Sequence, residues 1–147
     1  MKRLTPLAAL LVLAGCQPPH VEGAACDAGG RLGFALGETA GWFGSSPARP
    51  KSVTVMHIGG GEQVWNSRAP DHGLIARMIG AGEPQRPILL YGAALPGWMT
   101  SEPAASLLSG EHYWAHIWTD GGMATIEWTQ GAKLPACPGS AGRLAPG

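Results

Sequence analysis

Glu111-His112-Tyr113-Trp114-Ala115-His116-Ile117-Trp118-Thr119-Asp120-Gly121-Gly122-Met123-Ala124-Thr125-Ile126-Glu127-Trp128-Thr129 decides the fold. The two flanks alternate in side-chain character, and Asp120-Gly121-Gly122 between them is turn chemistry. This predicts a β-hairpin with strands over 111–119 and 123–129. Tyr113, Ala115 and Ile117 share one face of the first strand, and Trp114, His116 and Trp118 share the other. With the first face in the core, the second presents two indoles with His116 between them. Trp128 on the next strand extends that surface. Indole offers a broad flat area with a polar N–H, so the candidate binding residues are Trp114, His116, Trp118 and Trp128. The competing reading makes these rings core filler, or covers them with the loop Leu95-Pro96-Gly97-Trp98.

Outward from the hairpin, further short strand signals appear. Leu32, Phe34 and Leu36 recur at period two within 31–36. Over 52–58, Val53, Val55 and His57 alternate with Thr54, Met56 and Ile58. Gly59-Gly60-Gly61 then turns the chain toward a return strand over 62–66. Residues 88–92 follow Pro87 and read as a buried strand. Residues 74–79 do not separate strand from helical turn. The 23 glycines and 13 prolines disfavour long helices and favour strands joined by turns. The expected class is all-β.

The amino terminus carries a secretory layout: Lys2 and Arg3, an apolar run over 7–13, then Leu13-Ala14-Gly15-Cys16. The apolar run is too short to span a bilayer, which needs ~20 residues. Removing residues 1–15 leaves one domain's worth of chain, with eight basic against ten acidic residues, net −2. No Lys/Arg cluster exists, so no nucleic-acid partner is expected. Residues 16–25 read as a Pro-rich tether, 26–137 as the folded unit and 138–147 as a disordered tail. Cys26 and Cys137 bound the folded unit, and an exported chain would hold them as a disulfide. Closing so long a loop stabilises by roughly 4–5 kcal/mol on the chain-entropy model.

Catalytic signatures are missing. There is no G-x-S-x-G elbow, no H-E-x-x-H and no S-x-x-K, and Gly59-Gly60-Gly61 lacks the Lys and helix of a phosphate loop. Glu102, Glu111 and Glu127 would supply carboxylates to an unfamiliar hydrolase site, but surface solvation explains them as well. His112 and His116 lie four apart, which on a strand spans ~13 Å, too far for one ion. The expectation is a protein that is not an enzyme, with no metal and no cofactor. Arg68, with Asn66 and Asp71, would add polar contacts beside Trp65.

Two resemblances add to this. Leu13-Ala14-Gly15-Cys16 resembles the lipobox of bacterial lipoproteins. The resemblance implies cleavage before Cys16, a diacylglyceryl thioether on its sulfur and acylation of the new amino group. Gln17 in the next position is similar to the signal for passage to the outer membrane. That implies a lipid-anchored protein on the periplasmic side of the envelope. Leu107-Leu108-Ser109-Gly110-Glu111-His112-Tyr113 resembles the tyrosine corner of fibronectin type III domains. Leu107 and Tyr113 hold its six-residue spacing, and Gly110 matches its turn glycine. Ser109 departs from the usual Pro, and Met56-His57 stands where a Trp is expected. The resemblance covers about 25 residues and implies a small immunoglobulin-like β-sandwich, here closed by a terminal disulfide. The function expected is a non-catalytic binding or structural module, with an envelope protein or a glycan as partner.

Overall fold

The computed structural model describes residues 20–41, 44–73 and 86–138. The expected lipidation site Cys16, the apolar run before it, nearly all of the expected tail, and residues 74–79 lie outside the described residues. All ten elements among the described residues are strands: β1 (Gly23–Asp27), β2 (Leu32–Leu36), β3 (Glu38–Gly41), β4 (Gly44–Pro47), β5 (Pro50–His57), β6 (Gln63–Arg68), β7 (Ile88–Leu90), β8 (Met99–Glu102), β9 (His112–Thr119) and β10 (Gly122–Thr129). They form a three-stranded sheet in the order β1-β2-β7 and a five-stranded sheet in the order β10-β9-β5-β6-β8. A small β3-β4 hairpin stands beside them.

The two large sheets share one core. Ala25, Phe34, Leu36 and Leu89 come from the three-stranded sheet. Val53, Val55, Trp65, Tyr113, Ala115, Ile117, Ala124, Ile126 and Trp128 come from the other. Phe34 meets Trp128 edge-on across the gap, with ring centroids 5.2 Å apart. Tyr113 stacks on Trp128 at 5.6 Å, and Trp65 meets Tyr91 edge-on at 5.3 Å. Aromatic pairs at such spacings add about 0.5–1.5 kcal/mol beyond their buried area.

Most strands fall where alternation places them, and the departures have local causes. Val64 and Trp65 are both buried although adjacent. The β5–β6 register slips between Val55 and Met56, so Val55 faces Trp65 while Met56 faces Gln63. The extra residue of that bulge is Val64, which lets consecutive side chains turn inward.

The folded unit begins earlier than Cys26, so the expected tether over 16–25 is too long. Val21 is 2 % exposed, and its N–H donates to Met123 O at 3.0 Å. β1 then pairs with β2 from Gly23↔Leu36 to Asp27↔Leu32. Gly23 lies so close to β10 that a Cβ there would sit 2.8 Å from Ile126 Cδ1. Small residues make this strand possible and hide it from periodicity at the same time.

The expected disulfide is present between Cys26 and Cys137. Around it the chain ends are strapped together. Asp27 N–H donates to Pro135 O at 2.7 Å, and Cys137 N–H to Asp27 O at 2.9 Å. Gly33 faces the bridge, where a Cβ would come within 2.9 Å of Cys137 Sγ.

Leu107-to-Tyr113 forms a closed corner. The Leu108 N–H donates to the Tyr113 hydroxyl at 3.0 Å, and Leu107 packs against the core. The corner sets the entry of β9 and thereby the facing of every residue along it.

Candidate functional site

β9 sits inside its sheet, between β5 and β10, so its outward residues have neighbours on both sides. Trp118 lies between Ser52 and Met123, His116 between Thr54 and Thr125, and Trp114 between Met56 and Glu127. Tyr113, Ala115, Ile117 and Thr119 point the other way and are buried. The alternation predicted for β9 therefore holds, and Trp114, His116 and Trp118 stand on the outer face.

They are not equivalent. Trp118 is 45 % exposed, whereas Trp114 and His116 are half-buried. The Trp114 and His116 rings lie 3.9 Å apart between centroids, tilted by 38°. Partial burial holds the His116 pKa below its ordinary value, which favours the neutral imidazole. Trp114 and Trp118 are four residues apart, about 13 Å along a strand. The stripe is one tilted Trp–His pair followed by a separate, more open indole.

Beside the stripe runs a row of uncharged polar groups. Asn66 Nδ2 donates to Thr54 Oγ1 at 3.0 Å and to Gln63 Oε1 at 3.5 Å, and Ser101 Oγ donates to Asn66 Oδ1 at 2.9 Å. Thr54 faces both Asn66 and His116, which sets the polar row directly alongside the aromatic one. Arg68 lies at the same sheet level, opposite Ser52. Asp71 does not join it; its carboxylate accepts the Gly73 N–H at 3.1 Å.

Trp128 does not extend this surface. It is 6 % exposed, in the core between Phe34 and Tyr113. The turn contains two residues, so Gly122 pairs with Thr119 and Trp128 with Tyr113, on the inner face. The loop Leu95-Pro96-Gly97-Trp98 does not serve as a lid over the stripe either, since Leu95 and Trp98 pack against the core.

A contact that sequence patterning missed lies at the end of β5. His57 Nε2 approaches Glu111 Oε2 at 2.9 Å, while the His57 ring lies 5.1 Å from Tyr113. It joins the Gly59-Gly60-Gly61 turn to the entry of β9. His112 Nδ1 and Thr129 Oγ1 are 3.0 Å apart, tying the open end of the final hairpin. Among the described residues no three His, Cys, Asp or Glu side chains converge as metal ligands do.

Comparison with known proteins matches no family model, no curated protein and no solved structure. The reading of function therefore rests on the outer face of the five-stranded sheet and on the chain's own signals.

Proposed function

We propose that this chain is a lipid-anchored, non-catalytic binding module of a bacterial envelope, built as an immunoglobulin-like β-sandwich. The anchor is Cys16, and Gln17 favours the outer membrane, with the domain on the periplasmic side. Two observations support the sandwich reading. The strand orders β1-β2-β7 and β10-β9-β5-β6-β8 supply the two antiparallel sheets that an immunoglobulin-like sandwich needs, and Tyr113 closes its corner onto Leu108 N–H. The single observation that carries the binding reading is the outward stripe of Trp114, His116 and Trp118, since large rings left facing solvent mark contact surfaces.

The anchor and the fold fit together geometrically. Only residues 17–19 separate Cys16 from His20, which already bridges to Met123. Four extended residues span at most ~14 Å. The domain would stand with the Asp120-Gly121 turn and Arg49 toward lipid, because Asp120 N–H donates to Arg49 O at that same pole. The eight-residue β9 and β10 would carry the opposite loops about 27 Å further out. Each acyl methylene in the bilayer contributes ~0.8 kcal/mol, so two or three chains hold the domain stably. Mass spectrometry of the exported protein should show a diacylglyceryl-modified Cys16 as the first residue; an unmodified thiol removes the anchor.

One observation favours a glycan over an envelope protein as the partner. The hydroxyl and amide row of Thr54, Asn66, Gln63 and Ser101 runs beside the indoles, which pairs a ring-stacking surface with neutral hydrogen-bonding groups. Wild-type protein should sediment with purified peptidoglycan, and W114A/W118A should stay in solution. Equal sedimentation of both removes the glycan reading. Photocrosslinking from position 118 to an envelope protein would then identify the protein-binding alternative.

A further inference from the structure

A second feature lies at the pole opposite His20. The β1–β2 turn and the segment following β10 border a shallow, open cleft of about 360 Å³. That volume falls at the lower end of the range of small-molecule sites. Arg31 and Lys133 line it from the two sides, over apolar walls supplied by Leu32 and Leu134. Both cations are exposed, and neither has an ion-pair partner among the described residues. The lining also holds one acid, Asp27, whose Oδ1 accepts the Gly30 N–H, so two cations and one anion leave a net formal charge of +1.

The two walls are fixed to each other. Cys26–Cys137 joins them covalently, and the Asp27–Pro135 and Cys137–Asp27 hydrogen bonds add two backbone straps. Gly30 and Gly131 both take φ of 86°, which an L side chain rarely adopts, and the residues next to these turns, Arg31 and Lys133, both line the cleft. Gln130 N–H donates to Glu111 O at 2.9 Å, holding the second wall to the body of the sheet. Two exposed cations on a protein surface are ordinary. Two cations without ion-pair partners among the described residues, on cross-linked segments that border one cleft beside Leu32 and Leu134, offer an anion a charged rim next to apolar carbon.

We propose that this cleft binds a small organic anion with an aliphatic part, its carboxylate or phosphate held between Arg31 and Lys133 and its hydrocarbon against Leu32 and Leu134. The site is separate from the Trp114–Trp118 stripe and does not depend on it. The test is a titration of the ¹⁵N-labelled protein, followed by amide chemical shifts. Hexanoate and hexyl phosphate are the probes, and acetate and hexanol are the controls lacking tail and charge respectively. The expected result is saturable shifts at Gly30, Gly131 and Lys133 with at least one probe, the stronger probe naming the preferred head group. Acetate should bind more weakly and hexanol should not bind. R31Q/K133Q should raise the Kd about tenfold or more, whereas W118A leaves it unchanged. Both substituted side chains are exposed, so the double variant should keep the wild-type thermal melt. No saturable shift with either probe, equal binding of hexanol, or an unchanged Kd in the folded double variant would overturn the proposal.

Discussion

Trp118 and Trp128 are the same side chain on neighbouring strands of one hairpin, yet the first is 45 % exposed and the second 6 %. Nothing in their composition separates them. Register does. Trp118 pairs with Met123, and Trp128 pairs with Tyr113, so the two indoles leave opposite faces of the same two-stranded ribbon. Position along the hairpin decides whether an indole is cohesion or contact surface, and that position is set by the length of a turn.

The sharpest way to break the comparison is to delete each ring. Trp128→Ala should cost about 3–5 kcal/mol, because a large buried ring leaves a cavity against Phe34 and Tyr113. Trp118→Ala should change stability by less than about 0.5 kcal/mol. Urea unfolding of both variants checks the pair, and similar losses would place Trp118 in the core as well. Next comes the covalent strap: C26A/C137A should lose about 2–5 kcal/mol in the same assay. Tyr113→Phe keeps the inner ring and removes only the acceptor for Leu108 N–H, at a cost of about 1 kcal/mol.

Two smaller effects separate the faces by pH. Tyr91 donates its hydroxyl to Ala105 O at 2.8 Å, and burial, with a further contribution from Tyr113, pushes its pKa up to about 12. In the unfolded chain the phenol ionises first. The stability Tyr91 contributes is thus complete below pH ~10 and is lost as pH rises through about 12. Urea midpoints measured between those values should fall in wild type and fall less in Y91F. His116 works at the acid end. Its pKa is lowered in the folded protein, so its contribution is present above ~6.5 and is lost as pH falls below that value. His116→Gln should flatten that part of the profile, read as the difference from wild type.

The hairpin, the inward face of β5 and the cysteine pair were legible because each is local or self-announcing. Alternation shows in Tyr113, Ala115 and Ile117, and on the reading that the chain is exported, Cys26 and Cys137 have one way to pair. Trp128 was misplaced because Asp120-Gly121-Gly122 reads equally as a two- or a three-residue turn. Adding one residue to a turn moves every later side chain to the other face. β1 was missed because Gly23, Ala24, Ala25 and Cys26 show no apolar alternation; only Ala25 and Cys26 are buried, and Ile126 closes over Gly23. β8 was missed because Met99–Glu102 is exposed throughout and leaves no hydrophobic imprint. Arg31 and Lys133 stand 102 positions apart. The available signal was indirect: each lies within five residues of a cysteine, so the predicted bridge already brought their loops together.

The parallel bridge from His20, just ahead of β1, to Met123 of the last strand carries a kinetic consequence. A polypeptide that emerges amino end first, from ribosome or translocation pore, can pair β1 with β2 at once but presents His20 and Val21 before their partner Met123 exists. Until β10 and Cys137 arrive, Val21 and Ala25 have no β10 to cover them and Cys26 has no native mate. Maturation is therefore gated by the arrival of the final segment, and long-range closures of this kind make assembly slow. A chaperone or thiol oxidant acting on this molecule would meet a β1–β2 hairpin whose Cys26 stays unmated for as long as the rest of the chain takes to come through.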